Sequence, residues 1–236
     1  MSRKIFIDCG AHKATSLKFF CSSYPNSQEY ETHSFEINPD FKKHFDHYVS
    51  DGSNKHFFYN KAVWIKDETI KFWKMDQESS TVGPYTSQSN SQAEGVDFSK
   101  WLLNNFEKHD SIVLKMDIEG AEFSVLPKMF DDGSIELIDK LFIEFHYGKR
   151  QKTSLELSLS ILEDLIFKYK LEPFRWDATG KDKTLDKIDL DWRVCRDLEK
   201  EKADSDLGKR WQKIKDYFKI EKWKKGMAIY SPNKGE

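Results

Sequence analysis

Long apolar runs are missing from this sequence of 236 residues. No uninterrupted run approaches the roughly 18 apolar residues that a membrane-spanning helix needs. The first residues also lack the basic segment and apolar core of a secretory signal. We therefore expect a soluble, cytoplasmic protein without a membrane span.

Cysteine is scarce, and neither sign of charge is in clear excess. The three cysteines, Cys9, Cys21 and Cys195, form no CxxC pair, which favours a reducing compartment. The 38 lysines and arginines nearly cancel the 40 acidic residues, so no global field would hold a polyanion and nucleic acid is not an expected partner. The length suits a single domain, residues 1–236, with one insertion.

Segments typical of strands and helices alternate along the first two thirds of the chain, which predicts a parallel sheet with helices on its faces. Asn38 is expected to cap a helix that begins at Pro39. The predicted strands cover residues 4–8, 31–36 and 57–65, followed by a fourth that ends at Asp117 and a fifth that ends in Glu144 and His146. The predicted helices cover residues 14–23, 96–106 and 153–169, and one more begins near Gly120.

Three other segments are assigned by composition and pattern. Residues 69–75 could pair with the third strand as a hairpin, and the polar residues 79–94 predict a long loop. Residues 178–225 are highly charged and helix-prone, which predicts an insertion before a short last strand in "GMAIYSP". That last strand could close the sheet.

Four predicted strands end in ionisable groups: Asp8, Glu36, Asp117, and Glu144 with His146. Loops at the carboxyl edge of a parallel sheet lie side by side, so these groups should converge on one crevice. The alternative is that each acid caps a helix or faces water.

The glycine-rich fingerprint of dinucleotide-binding proteins is absent. The turn after the first strand reads "GAHKATS" and lacks GxGxxG, so a cofactor without a pyrophosphate fits better. Gly10 would let such a cofactor approach the backbone, and Glu36 could accept hydrogen bonds from both hydroxyls of a ribose. S-adenosylmethionine (SAM), an adenosine with an amino-acid tail, meets these requirements.

Seven segments resemble the FkbM-type SAM-dependent methyltransferases in order and spacing. They are "FIDCGAHKATS", "FEINPDF", "NKAVW", "SSTVG", "VDFSKWL", "VLKMDIEGAEFSVL" and "LFIEFH". The resemblance implies a Rossmann-like class I methyltransferase fold, α/β, with a mostly parallel sheet of seven strands and helices on both faces. It also implies methylation of a hydroxyl on a sugar or polyketide-type acceptor. His12 and Ala14 depart from the usual Asn and second Gly of the family's turn.

The expected cofactor contacts follow the strand ends. Asp8 and Gly10 are expected beside the methionine part, Glu36 on the ribose, and Ala62 and Val63 near the adenine. The complete set of expected cofactor-binding residues is Asp8, Gly10, Ala11, Ser16, Glu36, Ile37, Ala62, Val63 and Asp117. Plain strand packing is the alternative for Ala62 and Val63.

The expected catalytic residues are His146, Asp117, Glu119, Lys115 and Glu144. His146 is the simplest base because an imidazole titrates near neutral pH, although a strand-end histidine can be structural. Lys115 could instead form an ion pair with a neighbouring carboxylate. Asp117 and Glu144 could alternatively hold Mg²⁺ or Mn²⁺, but no compact motif specifies a metal and we do not expect one to be required.

These observations lead to the expectation of a SAM-dependent O-methyltransferase acting on a hydroxyl of a carbohydrate. Two alternatives stay open. One keeps the cofactor and changes the acceptor to a small lipid-like or polyketide alcohol. The other is a catalytically silent binding module that retains the fold, and the altered glycine turn supports it.

Overall fold

The computed structural model describes residues 2–49, 55–74, 91–147, 154–176, 190, 192–220, 223–224 and 227–228. Its strands are β1 (Lys4–Cys9), β2 (Glu31–Phe35), β3 (His56–Tyr59), β4 (Ala62–Trp64), β5 (Glu68–Phe72), β6 (Ser91–Asp97), β7 (Ser111–Met116), β8 (Ile138–Ile143), β9 (Pro173–Phe174), β10 (Trp223–Lys224) and β11 (Met227–Ala228). Its α-helices are α1 (Thr15–Ser23), α2 (Asp46–Val49), α3 (Phe98–Asn105), α4 (Glu122–Asp132), α5 (Leu155–Glu163), α6 (Trp192–Leu198) and α7 (Asp206–Tyr217).

A six-stranded sheet in the order β3-β2-β1-β7-β8-β9 forms the centre of the fold. Every neighbouring pair in this sheet is parallel, which confirms the predicted parallel α/β class. The chain moves outwards from β1 to β3 in one direction and from β7 to β9 in the other. The gap between β1 and β7 is therefore the switch point, where open parallel sheets bind ligands beyond the carboxyl ends of their strands.

Helices cover both faces of the sheet because side chains of a buried strand alternate between the faces. Ile5, Ile7 and Cys9 of β1 belong to the larger buried cluster, which includes apolar residues of α3, α4 and α5. Phe6 points to the opposite face and stacks on Phe20 of α1, with ring centroids 3.8 Å apart.

Side-chain caps account for several helix starts. Asp97 accepts a hydrogen bond from the Lys100 N–H at the start of α3, and Ser154 accepts one from Leu157 at α5. Asn38 accepts one from Asp40 N–H as predicted, but the helix Pro39–His44 that follows is a 3-10 helix. The predicted helix 153–169 consists of α5 and a π-helix at Asp164–Lys168, and Thr153 lies outside the described residues.

The prediction of one strand over residues 57–65 is wrong. The segment breaks into β3 and β4, which belong to different sheets. The break lies at Asn60, whose side-chain amide donates a hydrogen bond to the Glu36 carbonyl, 2.8 Å away. The Asn60 side chain, and not a backbone N–H, thus donates to the carbonyl that follows β2, and the β2–β3 pairing ends there.

The predicted hairpin between residues 69–75 and the third strand is also wrong. Strand β6 lies between β4 and β5, pairing parallel with β4 and antiparallel with β5. Residues 91–94, expected in a loop, and 96–97, expected in a helix, both belong to β6, while α3 begins only after its cap at Asp97. The rest of the predicted loop, including "SSTVG", lies outside the described residues.

Two helices of the predicted insertion pack against the body of the domain. Trp211 and Ile214 of α7 are buried in the larger cluster, and Arg210 of α7 donates hydrogen bonds to Ser160 and Glu163 of α5. The seventh strand is not confirmed: β11 pairs antiparallel with β10 in a separate two-stranded sheet. Within the described part of the chain, no helix has the length and apolar character to cross a membrane.

Candidate active site

A cleft of about 370 Å³ opens at the carboxyl ends of β1, β2 and β7. This volume includes space that is open to solvent. Polar and apolar residues both line it: Gly10, Phe35, Glu36, Ile37, Lys61, Ala62, Val63, Asp117, Ile118 and Ala121. The cleft therefore lies at the switch point of the sheet, and two of the strand-end acids, Glu36 and Asp117, line it.

Glu36 is the carboxylate that follows β2 and borders this cleft. One of its oxygens accepts a hydrogen bond from His12 N–H at 2.8 Å, and the other accepts one from Asn38 N–H at 2.7 Å. Burial raises the pKa of Glu36, and these two backbone donors oppose that rise. Each carboxylate oxygen can accept further hydrogen bonds, so Glu36 both holds the glycine turn and remains an acceptor for a ligand.

Gly10 stands where the ends of β1 and β7 come closest. Its φ is +79°, and a Cβ at this position would lie 1.8 Å from the Asp117 carbonyl oxygen. The approach of this protein carbonyl is by itself enough to require glycine here. The departures from the family's turn, His12 and Ala14, also adopt positive φ, at 50° and 59°.

Lys115 lies beneath the cleft in a buried group of charges. Its Nζ donates a hydrogen bond to the Gly10 carbonyl at 2.9 Å and lies 3.4 Å from Asp8 and 3.3 Å from Asp117. Burial lowers the pKa of Lys115, but the charges of Asp117 and Asp8 outweigh this effect and raise it. The ion pair that the sequence left as the alternative for Lys115 is therefore present, and Lys115 ties the ends of β1 and β7 together.

His146 lies beside the cleft in a second cluster. It is almost completely buried, and its Nδ1 lies 3.0 Å from Oε1 of Glu122. Its Nε2 faces three carboxylates, at 3.5 Å from Glu119, 3.7 Å from Asp117 and 3.8 Å from Glu144. Four of the five expected catalytic residues are thus brought together, with Lys115 behind them.

Glu122 is a site residue that the sequence reasoning missed. It is fully buried, and its carboxylate accepts hydrogen bonds from the N–H groups of Ile118 and Gly120, both at 2.8 Å. It therefore orders the turn that carries Glu119 as well as the ring of His146. An acid in the first turn of α4, three residues after Glu119, was the available signal, because such acids often bind free N–H groups.

The surrounding carboxylates determine the charge of His146. Burial lowers its pKa, but the hydrogen bond to Glu122 and the charges of Glu122, Glu119 and Asp117 outweigh this effect and raise it to about 9. The imidazole is thus protonated at neutral pH. A protonated imidazole cannot accept a proton, which counts against the predicted role of His146 as the base.

The structure separates the expected cofactor residues into two groups. Six of them line the cleft: Gly10, Glu36, Ile37, Ala62, Val63 and Asp117. The other three are buried outside its lining: Asp8 beside Lys115, Ala11 packed with Leu17 and Phe45, and Ser16 in α1. The sequence reasoning missed four lining residues, namely Phe35, Lys61, Ile118 and Ala121.

The chemistry of the cleft suits an adenosine-containing cofactor. Glu36 supplies an acceptor for ribose hydroxyls, and the side chains of Phe35, Ile37 and Val63 supply apolar surface for a base. Asp117 belongs both to the cleft and to the His146 cluster. The residues present therefore fit SAM.

A family model described as the methyltransferase FkbM domain matches residues 8–169. The match covers both the cleft and the His146 cluster. Neither a curated protein nor a solved structure matches the chain significantly.

Proposed function

The chain belongs to the family of FkbM methyltransferase domains, and from this premise we propose that it is a SAM-dependent O-methyltransferase that acts on a hydroxyl of a carbohydrate. One observation carries the proposal most directly. Asp117 lines the cofactor cleft and also faces His146 at 3.7 Å, so cofactor and acceptor sites would share a wall.

The residues of the cleft would bind and orient the cofactor. Glu36 would accept hydrogen bonds from the ribose hydroxyls, and Val63 and Ile37 would contact the adenine. Bound SAM supplies a methyl group on a positively charged sulfur, which is the difficult part of the chemistry. The protein's contribution is to place the acceptor oxygen in line with that methyl and to exclude water.

The carboxylates around His146 would bind the acceptor and take its proton. Asp117 and Glu119 can each accept a hydrogen bond from a hydroxyl, which orients the oxygen and makes it more nucleophilic. As the oxygen forms its new bond to the methyl carbon, the bond from that carbon to sulfur would break, the sulfur would leave as a neutral thioether, and the hydroxyl proton would pass to a carboxylate. Protonated His146 would keep those carboxylates in place.

A neutral acceptor with several hydroxyls suits this cluster. Four carboxylates, those of Asp117, Glu119, Glu122 and Glu144, surround one imidazole. Such a cluster would repel an anionic acceptor, whereas sugar hydroxyls can donate to it. These features support a carbohydrate, and a small lipid-like or polyketide alcohol is the second candidate.

A cytoplasmic location is part of the same proposal. The free state of all three cysteines, Cys9, Cys21 and Cys195, supports a reducing compartment.

Transfer of a labelled methyl group from SAM to a panel of neutral glycans tests the proposal. The expected result is a mass gain of one methyl on a sugar, reduced in Glu119→Gln and unchanged in the control Glu136→Gln, an exposed acid outside the site. Methylation of lipid-like or polyketide alcohols alone would show that the acceptor is such an alcohol and not a carbohydrate. Absence of both transfer and SAM binding would indicate the silent binding module.

A further inference from the structure

The imidazole of His146 is held as a metal ligand usually is. Metal-binding histidines almost always donate their second ring N–H to a carboxylate or carbonyl, which fixes the ring and its tautomer. Here Nδ1 lies 3.0 Å from Glu122, whose carboxylate is fixed in turn by the N–H groups of Ile118 and Gly120. This arrangement leaves Nε2 as the atom that faces the cluster.

Nε2 of His146 is aimed at a pocket of oxygen donors. The side chain is 2% exposed, and Nε2 lies 3.5 Å from Glu119 and 3.7 Å from Asp117. One ligand atom each from Asp117, Glu119 and His146 lie within 4.8 Å of one another. A ring nitrogen and two carboxylates whose ligand atoms converge in this way form a donor set for a cation.

We propose that Asp117, Glu119 and His146 bind a divalent transition-metal ion. The ion would displace the proton that Nε2 carries in the metal-free cluster. Two carboxylates would balance the charge of the ion, and Glu122 would keep the histidine ring in place. This replaces both sequence expectations for the cluster: the metal pair Asp117 and Glu144, and a metal-free site with His146 as base. Glu144, which is largely exposed, would not be a ligand.

The donor set indicates the class of metal. Imidazole nitrogen suits first-row transition metals, whereas Mg²⁺ prefers sites made of oxygen alone. One nitrogen and two oxygens therefore favour an ion such as Mn²⁺ over Mg²⁺. Three protein ligands also leave positions open for a substrate oxygen, as in catalytic metal sites.

The proposed metal would have a role in the reaction. A divalent ion in contact with a hydroxyl lowers its pKa, so the proton can leave to a nearby carboxylate as the oxygen attacks the methyl carbon. This role rests on the proposed function. Binding of the ion does not, because all three ligands belong to the chain itself.

Titration of the full chain with Mn²⁺, followed by electron paramagnetic resonance in the absence of SAM, tests the site. We expect one bound Mn²⁺ per chain. His146→Ala and the isosteric Glu119→Gln should each weaken binding by roughly tenfold or more, since even outer-sphere partners contribute 10–100-fold. The Glu119 variant keeps the test valid if removal of His146 prevents folding.

The matched controls are a histidine and a glutamate on the surface, the same two residue types that are changed in the proposed site. His109 and Glu107 lie 3.1 Å apart on the exterior, and His109→Ala and Glu107→Gln should leave Mn²⁺ affinity unchanged. No specific Mn²⁺ binding, or equal affinity of Glu119→Gln and the parent, would overturn the proposal.

The two proposals can fail separately. Methyl transfer at full rate in the presence of a chelator would overturn the metal's role and leave the methyltransferase assignment standing. Mn²⁺ binding through the three ligands without any SAM binding would support the metal site and refute the proposed function.

Discussion

At the scale of single residues, the buried charge of Lys115 stabilises the site only because carboxylates lie next to it. Its ammonium group and the Asp8 carboxylate are both buried, 3.4 Å apart. Neither Asp8 oxygen makes a hydrogen bond in the described part of the chain, and burial raises the pKa of Asp8 against the effect of Lys115. Removal of the lysine alone therefore leaves an uncompensated carboxylate in the interior.

We predict that Lys115→Ala lowers the free energy of unfolding by about 3–5 kcal/mol, the usual effect of breaking a buried ion pair. The double variant Asp8→Asn with Lys115→Met should lose much less, because both charges are replaced by neutral groups of similar size. Urea denaturation at neutral pH measures both changes. A double variant as unstable as Lys115→Ala would show that the loss comes from packing instead.

At the scale of elements, the ends of β1 and β7 approach each other only because residue 10 is glycine. A comparison of two glycines isolates this effect, since Gly10 and Gly133 have nearly equal φ values of +79° and +78°. A Cβ on Gly133 would meet no atom within 4 Å, whereas one on Gly10 would collide with Asp117.

Gly133→Ala should therefore cost about 1–2 kcal/mol, the strain of a left-handed residue alone. Gly10→Ala should cost about 3 kcal/mol or more, because the collision adds to the same strain. Chemical denaturation of the two variants gives the difference. Equal losses would mean that the strand ends separate easily and that the site is less rigid than the geometry indicates.

A second connection between elements lies at the amino ends of the strands, where Asp110 joins the start of β1 to the turn before β7. The buried Asp110 carboxylate accepts hydrogen bonds from Arg3 and from the Glu107 N–H. Burial raises its pKa, but these bonds outweigh that effect and lower it to about 2.

The folded pKa of Asp110 lies below its unperturbed value of 3.8, so its stabilisation is present above about pH 4 and lost as the pH falls towards 2. Asp110→Asn should cost about 1–2 kcal/mol at pH 7, a value reduced from the full pKa difference because Arg3 is partly exposed. The difference from the parent should vanish near pH 2, as measured by denaturant titration. A difference that is independent of pH would contradict this account.

At the scale of the whole molecule, the sequence predicted what depends on local periodicity. The central strands, their parallel pairing and the helices between them follow from alternating patterns that each segment carries in itself. The three-stranded sheet of β4, β6 and β5 could not be predicted in this way. The pairing of β4 with β6 joins segments separated by residues 65–90, and the Asn60 side chain that separates β3 from β4 acts through a tertiary hydrogen bond.

In the candidate site, too, the features that depend on strand patterns were predictable and those that depend on tertiary contacts were not. The strand-end acids Glu36 and Asp117 were predictable because a parallel sheet brings its carboxyl ends together. The contact of Glu122 with His146 was not, since the two residues are 24 positions apart and belong to different elements. The charge of His146 could not be predicted from the sequence either, because it depends on how many carboxylates the fold places around its ring.

Calorimetric titration of SAM into the parent, Glu36→Ala and the control Glu31→Ala tests whether the cleft beside Glu36 binds the cofactor. Glu31 begins the strand that Glu36 follows, and it pairs with His33 outside the cleft. We expect micromolar binding by the parent and the control. In Glu36→Ala we expect binding weaker by about 10–100-fold, from the loss of charge-assisted hydrogen bonds of about 1.5–3 kcal/mol. Equal binding by parent and Glu36→Ala, or no binding by the folded parent, would contradict the assignment of the cleft as the cofactor site.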